Sequence, residues 1–162
     1  EEEWYSLLNS DTGPTGQRNK LRLYAKLKTC FKQEKYLEII KNPMIRSNLT
    51  KLRISAHNLA IEKGRYQKPF GNGASNSDHY KSRVCKYCNE NKVENEYHFT
   101  LECTKYDEQR KCFIESLPIE FRNKSPHELF LLLMKSNISS LISPFAKFIQ
   151  NITDERKLAT LC

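Results

Sequence analysis

The chain of 162 residues is long enough for one domain, or for one domain with an ordered extension. Its 38% hydrophobic and 28% charged residues, with a formal net charge of +8 at pH 7, indicate a globular but polar protein. No signal peptide is visible, and the longest apolar run, Leu129–Met134, is far shorter than the ~20 residues that span a bilayer. We therefore expect an intracellular protein, of nucleus and cytoplasm, with no membrane partner.

The first predicted elements are an arm and a basic helical segment. Residues 1–17 are predicted to form an arm or linker with Trp4 and Tyr5 as an aromatic anchor, and because the sequence opens on Glu1 we expect a piece of a longer protein. Residues 18–70 form the basic helical segment. The apolar residues of its first helix are predicted to share one face: Leu23, Leu27, Cys30 and Phe31.

A second helix of this segment has a clear start. Residues 36–40 continue or restart the first helix, and Asn42 followed by Pro43 is typical of an N-cap and a first helical residue. The apolar residues that follow are spaced by four, three and four, as on one helix face: Ile45, Leu49, Leu52 and Ala56. From Gly64 to Lys81 the sequence is weakly structured, and residues 71–81 are predicted to be a linker.

The rest of the chain is also predicted to be helical. Residues 82–113 form a cysteine-rich turn, with at most a short β-hairpin, and a following helix that ends before Pro118. In residues 114–162, Ser125 opens a capping box with a helix to Lys135, and Ser143-Pro144 starts a last helix that runs to the end. The predicted fold is therefore mainly α: a small helical domain stapled at its cysteine-rich turn.

Four residues of metal-binding type lie in the stretch CKYCNENKVENEYHFTLEC. Cys85 and Cys88 are spaced so that one turn brings both thiolates to the same face of a metal, and residues 89–92 form a turn that reverses the chain. His98 and Cys103 then supply a second pair. Since zinc prefers four nitrogen or sulfur donors in a tetrahedron, we predict one Zn²⁺ held by these residues. With all four positions filled by the protein, the zinc is structural and not hydrolytic.

Other interpretations of these residues stay open. A disulfide framework competes, although it lacks a secretory context and leaves the histidine without a role. His79 and Cys112 are candidate substitute ligands with less regular loop lengths. Of the neighbouring side chains, we expect the carboxylates to be solvated and the apolar ones to pack around the metal turn: Glu96 and Glu102 in the first group, Tyr97, Phe99 and Leu101 in the second.

Two runs of sequence resemble the C-terminal region of non-LTR (LINE-type) retrotransposon reverse transcriptases, which carries a CCHC zinc knuckle after the polymerase. They are KLRISAHNLAIEKGRYQKP (51–69) and RVCKYCNENKVENEYHFTLECTKYDEQR (83–110), and NKLRLYAKLKTCFKQEKYLEII (19–40) is similar to the stretch before them. The resemblance rests on the Ser-Ala-His-Asn-Leu-x-Ile-Glu-x-Gly-Arg-Tyr run, the CCHC spacing and the tail His-Phe-x-x-x-Cys-x-x-Tyr. It covers residues 19–113.

The resemblance implies the same four zinc ligands and a domain that grips template RNA or target DNA. The polymerase would lie elsewhere in the same polypeptide, and the remainder of that reverse transcriptase would be a partner of this domain. The segment has neither a Tyr-x-Asp-Asp motif nor the Pro-Asp signature of the nuclease that follows the knuckle in some family members. We therefore expect this segment not to be an enzyme. Residues 114–162 match nothing in this family.

Positive charge is concentrated before and within the knuckle. Residues 18–92 hold 18 Lys and Arg against 5 Asp and Glu, whereas residues 93–162 hold 9 against 10. This indicates a polyanion partner, RNA and/or DNA, unless the lysines form only a solvated surface. The residues predicted to contact phosphates are Lys20, Arg22, Lys26, Lys28, Lys32, Lys51, Arg53, Lys63, Arg65, Lys68, Arg83, Lys86 and Lys92. The tyrosines among them can stack on unpaired bases or pack in the core: Tyr24, Tyr66, Tyr80 and Tyr87.

Two further functions compete with nucleic-acid binding. In a protein-interaction or scaffold domain of a retroelement-derived protein, the basic face would dock on an acidic partner, and the apolar residues 129–134 and 145–152 would form an interface. In an enzyme, His57, Glu62 and His79 would form a general acid/base set or a second metal centre. A simpler interpretation is that His57 and Glu62 form a local hydrogen-bonded pair that positions Arg65.

Overall fold

The computed structural model describes residues 2–9, 21–64 and 80–159. The helices whose bounds lie in these ranges are α1 (Glu2–Asn9), α2 (Arg22–Leu27), α3 (Tyr36–Ile39), α4 (Pro43–Arg53), α5 (Ala60–Lys63), α6 (Asp107–Ser116), α7 (Ile119–Arg122), α8 (Pro126–Lys135) and α9 (Ser139–Leu158). The described residues contain no strand, and the predicted hairpin is reduced to one antiparallel bridge between Val84 and Val93. The prediction of a mainly helical fold is confirmed.

Helix α9 is the centre of the packing. It lies against α3, α4, α6 and α8, and its inward face is completely buried at Leu141, Ile142, Phe145 and Ile152. Phe113 of α6 stacks on Phe148 with their ring centroids 4.7 Å apart. The apolar stripes of the last two helices therefore form the core and not a free interface, because most of their side chains are buried against the other helices.

The two helix starts predicted from capping residues are confirmed. Asn42 Oδ1 accepts hydrogen bonds from the amides of Met44 at 3.0 Å and Ile45 at 3.2 Å, and Pro43 is the first residue of α4. Ser125 and Glu128 form the reciprocal capping box at the start of α8. These side chains satisfy amides that the first helical turn leaves without intrahelical partners.

The start of the last helix was predicted wrongly. Helix α9 begins at Ser139 and includes Pro144, so Ser143 is not its N-cap. Proline inside a helix removes one hydrogen bond and costs ~3 kcal/mol. The side chains of Leu141 and Ile142 are each 0% exposed, and burial of each stabilises the fold by about 1.5–3 kcal/mol. This gain offsets the cost of the proline and extends the helix upstream of it.

Other boundaries also differ from the predictions. Helix α2 ends at Leu27, so Cys30 and Phe31 lie outside it and are exposed. Helix α4 ends at Arg53 because Ser55 adopts a left-handed conformation with φ 53°, and Ala56 is exposed. Much of the predicted weakly structured stretch and linker lies outside the described residues, as does the end of the chain.

The predicted N-terminal arm contains helix α1, which packs on α2. The ring of Trp4 meets the ring of Phe31 edge to face, with the centroids 5.5 Å apart. Of the described helices, none alone is long and apolar enough to cross a membrane; α8 and α9 reach that length and composition only together and are bent by 103°.

Candidate metal centre

The first pair of ligands lies on a turn whose backbone supports the sulfurs. The amide of Tyr87 donates a hydrogen bond to Cys85 Sγ at 3.5 Å, as expected for the Cys-x-x-Cys turn. The chain then reverses at Asn91, which has a left-handed φ of 52°, a conformation that asparagine tolerates well. The amide of Cys85 donates to the carbonyl of Lys92 at 2.9 Å and holds the returning chain in place.

The second pair lies on a widened helical turn. The amide of Cys103 donates to the carbonyl of His98 at 2.7 Å, a hydrogen bond that spans five residues and closes a π-helical turn over His98–Glu102. Asn95 caps the turn, since its Oδ1 accepts from the amide of His98 at 2.8 Å. Because this turn is wider than an α-helical one, both ligands face the first pair.

The four ligand atoms fit one metal ion. The Sγ atoms of Cys85 and Cys103 are 3.9 Å apart, and Cys88 Sγ lies 3.4 Å from His98 Nε2. A tetrahedron with zinc bond lengths has edges of about 3.8 Å between two sulfurs and about 3.6 Å between sulfur and nitrogen. All four atoms lie within 4.8 Å of one another. These side chains can therefore hold a metal ion such as zinc.

The same distances exclude a disulfide within the cluster. A disulfide joins two sulfurs at ~2.05 Å, well below the distance between Cys85 and Cys103. The cysteines of the described ranges are all free thiols: Cys30, Cys85, Cys88, Cys103 and Cys112. Cys112 is exposed and lies outside the cluster, so it is not a substitute ligand, and His79 lies outside the described residues.

The sulfurs of Cys85 and Cys103 share a hydrogen bond that shifts the pKa values of the two thiols in opposite directions. The hydrogen bond to Cys103, together with burial, raises the pKa of the Cys85 thiol to about 12, and the same bond lowers the pKa of Cys103. A metal ion displaces the proton of this hydrogen bond, because only a thiolate is a ligand.

His98 points one nitrogen at the cluster and the other at a carboxylate. Its ring is 1% exposed, and Nδ1 has no hydrogen-bond partner, although it lies 3.6 Å from Glu102 Oε2. A carboxylate behind a histidine commonly orients the ring of a metal ligand and sets its tautomer. Glu102 was expected to be solvated, but it is half-buried and occupies this position.

The apolar residues around the turn pack as predicted. Phe99 and Leu101 are buried, and Tyr97 meets Phe130 of α8 edge to face with centroids 5.5 Å apart. Glu96, in contrast, was expected in solvent and is buried, 5% exposed, where it accepts a hydrogen bond from the Ser55 hydroxyl at 2.8 Å. The same carboxylate lies 3.1 Å from His57 Nε2. His57 was predicted to form a hydrogen bond with Glu62, and it forms one with Glu96 instead.

A buried ion pair connects the metal centre to α9. Arg156 donates hydrogen bonds to both carboxylate oxygens of Glu94, and Glu94 Oε1 lies 3.6 Å from Cys85 Sγ. The guanidinium also lies 4.1 Å from the ring centroid of Tyr87, over its face. This pair was not predicted from the sequence, because nothing in the spacing of two residues 62 positions apart signals a contact.

The predicted phosphate-contacting residues fall into three groups. Six are exposed, although the last of them also pairs with Glu102 at 3.7 Å: Lys26, Lys32, Lys51, Lys63, Lys86 and Lys92. Three are engaged within the fold: Lys28, Arg53 and Arg83. The remaining ones lie outside the described residues, as does Tyr66: Lys20, the side chain of Arg22, Arg65 and Lys68. Tyr24, Tyr80 and Tyr87 are half-buried.

Arg53 is an internal residue and cannot meet a phosphate on the surface. Its side chain is 2% exposed, donates to Glu34 Oε2 at 3.0 Å and lies 4.6 Å from the ring centroid of Tyr36. Lys28 pairs with the same carboxylate at 3.0 Å, so both cations bind Glu34 in the loop between α2 and α3. The prediction of a nucleic-acid contact is therefore corrected for Arg53.

Arg83 also has a structural role. Its Nη1 donates to the carbonyl of Ile61 at 2.9 Å, and its side chain crosses Gly64 so closely that a Cβ there would lie 2.7 Å from Arg83 Cγ. The φ of Gly64 is −70°, a conformation open to any residue. The glycine is needed for the close approach of Arg83.

None of three comparisons, with protein-family models, with curated proteins and with solved structures, found a match to this chain.

Proposed function

We propose that this chain is a zinc-stapled nucleic-acid-binding domain, the C-terminal part of a retrotransposon-type reverse transcriptase. It grips template RNA and/or target DNA for a polymerase elsewhere in the same polypeptide. The proposed origin is supported by the resemblance of residues 51–69 and 83–110 to that family. The proposed role is binding and not catalysis, and it belongs to the interior of the cell.

The observation that carries nucleic-acid binding is the exposed charge before and within the knuckle. In residues 21–64 and 80–92, nine lysines are exposed against two glutamates, Glu38 and Glu90. The lysines are Lys26, Lys32, Lys35, Lys41, Lys51, Lys63, Lys81, Lys86 and Lys92. Such an excess attracts a polyanion at long range and favours contacts to phosphates, which position a protein without reading sequence.

One structural zinc fits this role. Cys85, Cys88, His98 and Cys103 would fill the tetrahedron of a bound zinc and leave no position for an activated water, so the ion would stabilise the fold instead of performing hydrolysis. These residues would join the turn that carries Lys86 to the π-helical turn, and Glu94 and Arg156 connect that site to α9.

We expect nucleic-acid binding to weaken steeply with salt. If about five phosphates are neutralised, the slope of log K against log salt concentration is about −3.5 to −4.5, since each contact releases condensed counterions. Fluorescence anisotropy with labelled RNA and DNA oligonucleotides over a salt series measures this slope. A slope near zero, or no binding at all, would contradict the proposal and favour the scaffold function, in which the lysines dock on an acidic protein.

Reversing exposed lysines tests where the contacts lie. Lys51→Glu and Lys86→Glu are each expected to lower affinity on the order of tenfold, because each removes an attraction and adds a repulsion. Lys135→Glu and Lys147→Glu are matched controls, since both lysines are exposed on the C-terminal helices, and we expect little change. Equal losses in all four variants would show that the contacts are not where the proposal locates them.

A further inference from the structure

A cleft lies beside the metal centre, between the end of α4, the loop of residues 54–59 and the last turns of α9. Its floor is apolar and formed by buried side chains: Leu52, Leu59, Phe99 and Ile149. The cavity volume is about 230 Å³. This is below the roughly 300–1,000 Å³ of sites for drug-sized ligands, so the cleft suits one small flat group.

The rim of the cleft is basic. Lys51, Lys63, Arg156 and Lys157 line it, and no carboxylate of the described residues does. Arg156 is neutralised by Glu94, and Lys157 pairs with Asp154 at 2.8 Å. Lys51 and Lys63 are exposed and form no ion pair with the part of the chain that the structure describes. These two lysines therefore supply the charge available to a ligand.

The combination of floor and rim matches the chemistry of a nucleotide. A nucleobase is flat and largely apolar on its faces, and it is covalently linked to phosphate. The floor takes the base next to the half-buried Tyr87, while Lys51 and Lys63 meet the flanking phosphates. A duplex keeps its bases paired and stacked inside, so only an unpaired base can enter a concave site of this size.

We propose that the cleft binds one unpaired nucleotide, so that this domain prefers single-stranded to double-stranded nucleic acid. This inference rests on the proposed function and specifies its substrate. RNA and DNA share the chemistry of base and phosphate, and the two are distinguished by separate arms of the experiment.

The test uses the full zinc-loaded chain and fluorescence anisotropy at one fixed salt concentration. Four labelled probes of the same sequence are compared: single-stranded RNA, single-stranded DNA and the two corresponding duplexes. The single strands are expected to bind about tenfold more tightly than their duplexes, because one stacked base adds that factor or more. A millimolar mononucleotide should displace a single-stranded probe, whereas inorganic phosphate at the same concentration should not.

A variant separates the cleft from general surface charge. Ala56 is exposed and lines the cleft, so Ala56→Leu fills part of it without changing charge. It is expected to weaken single-strand binding about tenfold and duplex binding less than twofold. Ser140→Leu adds the same side chain at an exposed position that does not line the cleft, and it should change neither.

The possible failures are distinguishable. Salt-dependent binding that is equal for single strands and duplexes, or unaffected by Ala56→Leu, overturns the nucleotide cleft and leaves the proposed function in place. Absence of salt-dependent binding to all four probes overturns the proposed function as well. If Ala56→Leu does not fold, the competition of mononucleotide against phosphate on the unmodified chain decides: equal displacement by both, or by neither, overturns the cleft.

Discussion

Chelation of the metal is expected to unfold at least residues 80–113 and to release one zinc per chain. The free energy of zinc binding at structural sites is about 10–16 kcal/mol, comparable with the ~5–15 kcal/mol free energy of unfolding of a whole domain. In a small site the free energy of metal binding therefore contributes directly to folding. Without the ion, His98 and Cys103, each 1% exposed, are left as buried polar groups around an empty centre. Far-UV circular dichroism and metal analysis by mass spectrometry measure the two effects.

Single substitutions should reproduce this loss. Cys88→Ser and His98→Ala each remove one of the four ligands and are expected to abolish tight metal binding. Cys112→Ser is the matched control, because Cys112 is an exposed cysteine outside the cluster, and it should keep the metal and the spectrum. A metal-free chain with an unchanged circular dichroism spectrum would contradict the proposal of a structural zinc.

Arg156→Met is expected to destabilise the fold by about 3–5 kcal/mol, because it leaves the buried Glu94 carboxylate without its cation. Glu94 is 2% exposed, and besides Arg156 it accepts from the amide of Ala60 at 2.6 Å. An unpaired negative charge 3.6 Å from Cys85 Sγ also disfavours the thiolate that a metal needs. Urea denaturation of the zinc-loaded protein measures the change.

Two companion variants make this test specific. Lys157→Ala changes the neighbouring, exposed cation and should alter stability by no more than about 0.5 kcal/mol, as is usual for surface substitutions. The double variant Glu94→Gln, Arg156→Met removes both charges and should recover part of the loss, since no buried charge is then left unpaired. Equal stability of Arg156→Met and Lys157→Ala would show that the ion pair does not hold α9 to the metal centre.

The sequence by itself determined those features that depend on residues close together in the chain. The spacing of Cys85 and Cys88 defines a turn, and the tight geometry of that turn limits where the sulfurs can lie. The N-cap at Asn42 and the capping box at Ser125 likewise involve side chains and amides within three residues of each other. Local hydrogen bonds of this kind form in the same way in any fold that contains them.

Only the tertiary structure decided the role of each charge. Counting side chains along the chain treats Arg53 and Lys51 alike, although Arg53 is buried against Glu34 of the loop between α2 and α3, whereas Lys51 lies at the rim of the cleft. The balanced charge of residues 93–162 similarly conceals that Arg156 and Glu94 neutralise each other inside the fold, while Lys157 joins Lys51 at that rim. Whether a charge meets solvent depends on contacts between residues far apart in the chain, and neither composition nor periodicity encodes those contacts.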